Sequence, residues 1–521
     1  MFVILRSVMR RSRAHLLAIA GFVGSLTIVG AQVLSARQTS SLVIAGATLI
    51  DGRGGPPVRD AVVVITDGRI TTVGPASAVA PLSASTQIDA NGKFIIPGLI
   101  DTNVHLSLYG GAAERYETLV RYYSREREIV LEAAQLQLKH GVTTVRDSYG
   151  LLPALVAVRD AIAAGRTIGP RILAAGNIVG WGGPYSVSFS LIREQALTLF
   201  QEQVNDEVAQ GVGEDLVDMD PEELRTAIRA YLDKGPDFIK YGGTAHFARP
   251  SLIGFSPEAQ RVIVEEAHGR GKVAETHATT ADGLRLAVEA GIDLIQHPEM
   301  LGNKALPDAL VQAIVQKKIV CSMLASTMTG DAWKKHVKDR EEAEKKRTEQ
   351  EKRGERPSRP RTSAEQRQRE ADEGVGLEMR RRNAQTLIKA GAVVTIGTDN
   401  YWAAAPELSR TRKPETQDHG IGSILAIEGL VELGMTPGQA IVAATQNGAI
   451  AARGIDQFGT IEVGKRADLL ILDADPLADI HNLRKLSHVI RDGHVIDRDK
   501  LPEYRVLSVG RTSSSDPSSV R

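Results

Sequence analysis

Residues 97–105 of the chain read Pro-Gly-Leu-Ile-Asp-Thr-Asn-Val-His, and this stretch decides the fold. Its apolar start predicts a buried strand, which ends in the polar side chains of Asn103 and His105. Similar short apolar runs recur through the middle of the chain with helical stretches between them, giving eight predicted strands. Because strands that alternate with helices form parallel sheets, the sequence predicts an α/β protein built on a (β/α)8 TIM barrel.

The sequence pattern at both ends of the chain differs from the pattern in the middle. Residues 37–96 and 459–510 contain short strand candidates separated by Gly and Asp turns. They predict one small β-sandwich domain built from N- and C-terminal segments, beside a barrel over residues 97–458. The last residues, 511–521, are predicted to be a disordered tail.

A dense run of mixed charge interrupts the predicted barrel at residues 333–382. Such runs usually form a solvated helix and a flexible loop. Because this run lies between the seventh and eighth predicted strands, a lid over the barrel mouth is the alternative interpretation.

The N-terminus carries several arginines followed by an apolar run over residues 16–34. This pattern is typical of an export signal, so residues 1–36 are predicted to be a cleaved signal peptide. An uncleaved membrane anchor is the alternative, since the run is long enough to span a bilayer. The folded part is therefore expected to be periplasmic or secreted, or anchored to the membrane.

The amino-acid composition limits the classes of partner that the chain is expected to bind. Acidic and basic residues balance at 63 each and aromatic residues make up 4%, so nothing favours a nucleic-acid partner. Cys321 is the only cysteine, which rules out an intrachain disulfide and favours a buried packing role. We expect a small-molecule substrate and a homo-oligomer.

Polar residues stand where five of the apolar strands stop, namely His105, Lys240, His277, His297 and Asp399. In a parallel barrel all strand carboxyl ends open on one face, so residues far apart in sequence converge there. Imidazoles and a carboxylate suit Zn²⁺ or a similar divalent cation. The sequence therefore predicts a metal site at that face.

These motifs resemble the amidohydrolase superfamily, in the branch that includes imidazolonepropionases and Xaa-Pro dipeptidases. The stretch at 97–105 is similar to its opening Pro-Gly-Leu-Ile-Asp-x-His-x-His motif. Further matches are Asp237-Phe238-Ile239-Lys240, Glu275-Thr276-His277, Leu294-Ile295-Gln296-His297, Gly397-Thr398-Asp399 and the tail motif Gly464-Lys465-Arg466-Ala467-Asp468.

The resemblance implies a metal-dependent hydrolase of amide bonds, with a dipeptide or an N-acyl amino acid as substrate. It also implies one or two Zn²⁺ ions, an N6-carboxylysine at Lys240 and Asp399 as the general base. The implied metal ligands are His105, Lys240, His277, His297 and Asp399, with Asn103 as a doubtful sixth. The alternative for Lys240 is a partly exposed lysine in a salt bridge.

Asn103 departs from the family pattern because it stands where the first histidine is expected. Three hypotheses follow. A single metal binds to Lys240, His277 and His297; or Asn103 coordinates the metal or orients His105; or hydrolytic activity is lost.

Candidate substrate contacts are Tyr241, His246 and Arg146, which are expected in loops after strands. Two other functions stay open. The same site could hydrolyse lactones or phosphoesters, or the chain could be a catalytically impaired barrel that serves as a binding protein.

Overall fold

The computed structural model describes residues 41–79, 86–108, 115–186, 197–245, 252–353, 364–402, 407 and 413–508. The predicted signal or anchor, the C-terminal tail and His246 lie outside these residues. Within the described ranges, no helix combines the length and hydropathy needed to cross a bilayer.

The strands follow the predicted pattern of short apolar runs. In chain order they are β1 Ser41–Leu49, β2 Val58–Thr66, β3 Arg69–Pro75, β4 Thr86–Asp89, β5 Phe94–Pro97, β6 Leu99–Val104, β7 Val142–Asp147, β8 Arg171–Ala174, β9 Ile239–Gly242, β10 Ala274–His277, β11 Leu294–Gln296, β12 Val320–Met323, β13 Val393–Ile396, β14 Leu469–Leu472, β15 Leu486–Arg491 and β16 His494–Val495.

Both chain ends contribute strands to one mixed sheet. Its order is β16-β15-β14-β5-β1-β2-β3, with β4 added beside β1, and the antiparallel β5–β14 pair joins the two ends. Alternate residues such as Ile44, Val63 and Leu469 form an apolar core on one face. All the described strands of this domain belong to one hydrogen-bonded sheet.

The middle of the chain forms two parallel sheets, β6-β7-β8 and β9-β10-β11-β12-β13. Single parallel bridges join their outer strands, one between Val179 and Tyr241 and one between Val104 and Asn400. Among the described residues the ladders do not run continuously around a closed barrel. The chain is thus an α/β protein with parallel sheets, as predicted.

The chain passes from the mixed sheet into the parallel sheets at Gly98. β5 ends at Pro97 and β6 begins at Leu99, so the strands on either side of Gly98 lie in different sheets. A Cβ at Gly98 would lie 2.2 Å from the Thr143 side chain on β7. Only glycine allows this close approach between β6 and its neighbour.

Helices lie between the parallel strands and bury their apolar faces against the sheets. They are α1 Arg115–Tyr122, α2 Glu126–Lys139, α3 Leu152–Ala163, α4 Leu199–Ala209, α5 Pro221–Leu232, α6 Pro257–Gly269, α7 Ala281–Ala290, α8 Asp308–Gln316, α9 Gly330–Lys352, α10 Ala364–Lys389, α11 Ile421–Glu432, α12 Pro437–Ala444 and α13 Gln446–Ala451. Capping residues mark the start of several helices. Asp220 caps α5 in a capping box with Glu223, and Pro221 stands at the first helical position.

The charged run at 333–382 lies in two long helices, α9 and α10. The two helices are joined by ion pairs from His336 and Arg340 to Glu378. Arg381 of α10 stacks on Trp333 of α9, with 4.5 Å between its Cζ atom and the ring centroid. The run is therefore helical on both sides of residues 354–363, which lie outside the described ranges.

Candidate active site

The predicted metal residues lie at the carboxyl ends of the parallel strands. Asn103 lies within β6, Lys240 within β9 and His277 at the end of β10. His105 follows β6, His297 follows β11 and Asp399 follows β13. All are buried except Asp399, whose side chain keeps 26% of its surface exposed. The side chain of Asp399 is therefore the most solvent-accessible of the set.

Asp399 pairs with both polar residues of the opening stretch. Its Oδ1 atom lies 2.8 Å from His105 Nε2 and accepts a 3.1 Å hydrogen bond from Asn103 Nδ2. Burial favours a raised pKa for Asp399, but the hydrogen bond and charge of His105 outweigh burial and hold that pKa well below its usual value. Asp399 is therefore an ionised carboxylate.

Two site residues occupy left-handed turns directly after their strands. The φ angle is 46° at His297 and 54° at Asp399, a conformation that costs a non-glycine residue about 1–3 kcal/mol. Neighbouring strands stabilise these turns, because the backbone N–H groups of His297 and Asp399 donate to the carbonyls of Ser322 and Asn103, each at 2.8 Å. The turns direct both side chains to the same face of the sheets.

A second group of aromatic rings lies on the β10–β11 side of this face. The His277 and His297 ring centroids are 5.3 Å apart, and Trp181 stands edge-on against His277 at 5.0 Å. Burial lowers the pKa of His297 to about 3, so its imidazole is neutral. A neutral imidazole is the form that binds metal ions.

Lys240 is 2% exposed and has no ion pair with an Asp or Glu among the residues described. Burial lowers the pKa of its ammonium, while the charges of Glu275, Asp399 and Asp147 oppose that shift. The predicted alternative, a partly exposed lysine in a salt bridge, is therefore wrong. The ammonium of Lys240 is therefore easier to deprotonate than that of an exposed lysine.

Arg146 does not face a substrate. It lies in β7, is 1% exposed, and donates from Nη2 to Glu275 Oε2 at 2.6 Å and from Nη1 to the Ala451 carbonyl at 2.9 Å. Gln296 donates to the other Glu275 oxygen at 3.0 Å. The prediction of a substrate contact is wrong because Arg146 belongs to the strand and not to the loop after it.

The Arg146–Glu275 pair allows a stability prediction. Arg146→Met leaves the Glu275 carboxylate buried without its cation, so we expect the free energy of unfolding to fall by about 3–5 kcal/mol. The matched control is Arg270→Met, which breaks the 2.8 Å pair with Asp233 where the arginine is 42% exposed. Denaturant unfolding should give less than about 1 kcal/mol for this control. Equal losses in the two variants would contradict the buried-pair interpretation.

Tyr241 is also not a substrate contact. Successive strand residues face opposite sides, so Lys240 points inward while Tyr241 points outward. Tyr241 is fully buried, and its hydroxyl donates to Gln260 Oε1 of α6 at 3.0 Å. The prediction is wrong because it placed Tyr241 in a loop. His246, the third candidate, lies outside the described residues.

Three buried acids near the site were missed by sequence reasoning. Asp147 ends β7, accepts from the Leu106 N–H at 2.6 Å, and has its pKa raised to about 8 by burial. Asp101 accepts from the hydroxyls of Thr398 at 2.8 Å and Ser423 at 2.7 Å, and so joins β6 to β13 and α11. Glu275 is the third. The position of Asp147 at the end of an apolar strand was the available signal.

The types of donor atom at this face are those that bind a divalent cation. Buried atoms at the face have no hydrogen-bond partner among the described residues, namely Asn103 Oδ1, His105 Nδ1 and His297 Nδ1. Within the same residues, no three His, Cys, Asp or Glu side chains converge with metal-ligand spacing. Among the described residues, these four side-chain types therefore form no ready-made metal site.

The sequence model of the amidohydrolase family matches residues 94–496. The chain belongs to the amidohydrolase family. Ochratoxinase of Aspergillus niger is 24% identical to it, over 88% of each chain. The solved structure of molinate hydrolase is 31% identical, covers 92% of this chain and 99% of its own, and superposes with a TM-score of 0.76. Phenylurea hydrolase B is 30% identical, with coverage of 90% and 99% and a TM-score of 0.77.

These matches confirm the family predicted from the motifs at the strand ends. The matched region begins at Phe94 and ends at Ile496, so it includes strands of the mixed sheet from both chain ends as well as the parallel sheets. The amidohydrolase relatives are hydrolases by name and share the fold at near full length. This chain is accordingly a member of a hydrolase family.

Proposed function

We propose that this chain is an exported, metal-dependent amidohydrolase that hydrolyses an amide-type C–N bond of a small molecule. The observation that carries the proposal is the His105–Asp399 pair, a buried imidazole 2.8 Å from a partly exposed carboxylate at the strand ends. The names of its relatives, ochratoxinase, molinate hydrolase and phenylurea hydrolase, favour a small organic substrate.

The eight parallel strands would act as one barrel over residues 97–458, with residues 37–96 and 459–510 as the companion domain. The bridges Val179–Tyr241 and Val104–Asn400 support closure, since each joins the edges of the two parallel sheets. Closure brings the ends of β6 and β13 beside one another, where the His105–Asp399 contact lies.

Metal binding is assigned to Lys240, His277 and His297, with His105 and Asp399 beside them. When bound, a divalent cation such as Zn²⁺ would lower the pKa of water and polarise the substrate carbonyl. Lys240 would carry an N6-carboxyl group, because a buried neutral amine reacts with carbon dioxide to give a carbamate. That carbamate converts a cationic side chain into an oxygen donor.

In this proposal Asp399 transfers the proton, while His105 and Asn103 position Asp399. The Asp399 carboxylate accepts a proton from the attacking water, and the water oxygen forms a bond to the carbonyl carbon. The C–N bond then breaks, and Asp399 returns the proton to the leaving nitrogen. A carboxylate with a depressed pKa gives up that proton readily. His105 and Asn103 hold Asp399 in the position needed for both transfers.

The number of metals depends on Asn103. Its amide N–H donates to Asp399 and orients that carboxylate, and its neutral oxygen is a weaker ligand for Zn²⁺ than an imidazole. We therefore expect about one equivalent of metal in purified full-length protein, measured by elemental analysis. Asn103→His restores an imidazole and should raise the content towards two. Two equivalents in the unsubstituted protein would refute the single-metal hypothesis.

Asn103 also favours a second candidate function, that of a catalytically impaired binding protein. A panel of amides, ureas, lactones and phosphoesters separates the candidates. Turnover of amides or ureas supports the amidohydrolase. Turnover of the lactones or phosphoesters alone would move the proposal to those esters. No turnover in protein that carries no metal would favour the binding protein.

Export rests on the arginine-rich start and on the apolar run over residues 16–34. Fractionation of expressing cells, with N-terminal sequencing of the mature protein, tests it. A mature chain that begins after the apolar run supports cleavage. A full-length chain in the membrane fraction supports the anchor, and a full-length chain in the cytoplasmic fraction overturns export.

A further inference from the structure

A cleft opens at the amino ends of β10, β11 and β12, whereas His277 and His297 stand at the carboxyl ends of β10 and β11. We call it the amino-end cleft. Its volume is about 370 Å³, within the range of ligand pockets. Its floor is formed by the apolar side chains of Val273, Leu294, Val320, Ile450 and Ala451. The amino-end cleft is therefore separate from the candidate active site.

The charged side chains that line the amino-end cleft are mostly basic. They are Lys317, Lys318 and Arg453, with Asp293 as the acid among its described lining residues. Arg453 Nη2 donates to both Asp293 oxygens at 3.2 and 3.3 Å, and His268 Nε2 lies 2.8 Å from Asp293 Oδ2. Asp293 is thus engaged within the protein, and the ammonium groups of Lys317 and Lys318 remain for a ligand.

The two lysines keep their positive charge available to the amino-end cleft. Neither Lys317 nor Lys318 forms an ion pair with an acid among the residues that the structure describes. Lys317 Nζ donates to the Val288 carbonyl near the end of α7 at 2.8 Å, which holds the ammonium in place and leaves two of its N–H groups. Because apolar walls concentrate the field of such charges, the cleft attracts anions.

Two of the basic residues hold a backbone conformation that favours glycine. The φ angle is 54° at Lys318 and 49° at Arg453, and each stands two residues after the end of its helix, α8 or α13. Five other helices place glycine at the same position with a positive φ, namely Gly165, Gly271, Gly291, Gly391 and Gly434 after α3, α6, α7, α10 and α11. The left-handed conformation is unfavourable for a residue with a side chain, and such strain is typical of ligand-binding positions.

The ends of the helices do not account for a lysine at position 318. The last carbonyls of α8 already accept backbone hydrogen bonds, from the Lys318 N–H to Val315 at 3.1 Å and from the Ile319 N–H to Ile314 at 3.0 Å. A cation also interacts with the helix dipole from an unstrained backbone, as Lys317 does with a φ angle of −81°. The charge of Lys318 therefore calls for a partner outside the helix.

We propose that the amino-end cleft is a second binding site, which takes a small organic anion with an apolar body. The apolar body lies on the floor of the cleft, and the anionic group contacts the ammonium groups of Lys317 and Lys318. Binding at this site does not depend on hydrolysis at the carboxyl ends of the strands.

Equilibrium dialysis of the full-length protein compares two probes that share a naphthalene ring. 2-Naphthoate is an anion, and 2-naphthylmethanol is neutral and contains no amide or ester bond that the protein could hydrolyse. We expect 2-naphthoate to bind at least about tenfold more tightly, because its carboxylate forms charge-assisted hydrogen bonds. Acetate lacks the ring and should not displace 2-naphthoate at equal concentration.

Lys318→Gly separates binding from folding. It removes one cation and supplies the residue that adopts a positive φ without strain. Binding of 2-naphthoate should weaken by about tenfold, while the midpoint of thermal unfolding stays unchanged or rises. Gln210→Gly is the matched control, because Gln210 has a φ angle of 56° at the end of α4 and carries no charge. The control should leave binding unchanged.

A carboxylate added to the floor tests the location of the site. Ile450 lines the cleft and is 42% exposed, so Ile450→Asp introduces a negative charge without burying it. Binding of 2-naphthoate should weaken by at least about tenfold, and binding of 2-naphthylmethanol by less. Ile168→Asp is the control, because Ile168 is also 42% exposed and does not line this cleft. Thermal unfolding of both variants checks that the fold is kept.

The outcomes distinguish this site from the candidate active site. Weaker binding in Lys318→Gly and Ile450→Asp, with both controls unchanged, supports the amino-end cleft whether or not the protein hydrolyses an amide. Equal affinity for the two probes, or no binding of 2-naphthoate, would overturn the proposal. Unchanged binding in the folded Lys318→Gly and Ile450→Asp variants would also overturn it, since the probe would then bind elsewhere.

Discussion

Asp399→Asn is expected to lower kcat by about 10²–10⁴-fold. The substitution keeps the size of the side chain and its capacity to pair with His105, but an amide cannot accept a proton from water at neutral pH. Steady-state kinetics on any substrate that is turned over would measure the loss. Metal content is measured in the same sample, so that loss of a ligand can be separated from loss of the proton acceptor.

The chain contains a matched control for this variant. Asp293 also pairs with an imidazole, His268 Nε2, at 2.8 Å, and its side chain is 29% exposed against 26% for Asp399. The pair lies at the amino ends of the strands, since Asp293 directly precedes β11. Asp293→Asn should therefore leave kcat within a few-fold of the unsubstituted value. Activity of Asp399→Asn within tenfold of that control would refute the assignment of Asp399.

The site was predictable from sequence because its residues obey one rule of topology. The carboxyl ends of parallel strands meet on one face, so a polar residue at the end of an apolar run is a candidate wherever it occurs in the chain. His105, His277, His297 and Asp399 lie at or just after the ends of their strands, while Lys240 lies within β9. Asp147, the last residue of β7, satisfies it too.

The substrate contacts were not predictable in the same way. Whether a residue faces inward depends on strand register, and one position separates the inward Lys240 from the outward Tyr241.

Lys240→Met is expected to lower activity while leaving the stability of the fold unchanged or higher. An ammonium held at 2% exposure without an ion pair to any described acid would be unfavourable by several kcal/mol, so the native side chain should be uncharged or carboxylated. Methionine has a similar length and no charge, and unfolding should show stability that is unchanged or higher. Hydrolysis should nevertheless fall by about a hundredfold or more, with loss of bound metal, since a ligand is removed.

Two further measurements identify the chemical form of Lys240. Protein equilibrated with ¹³C-bicarbonate should give a carbamate carbonyl signal that is absent from Lys240→Met. Lys240→Arg provides the charge control, because it keeps a cation that does not form a stable carbamate, and it should lose both activity and stability. A structural lysine predicts the reverse order, with Lys240→Met destabilised and Lys240→Arg tolerated. That order, together with no ¹³C signal, would refute the carboxylated ligand, and a metal site would then have to rest on the imidazoles and Asp399 alone.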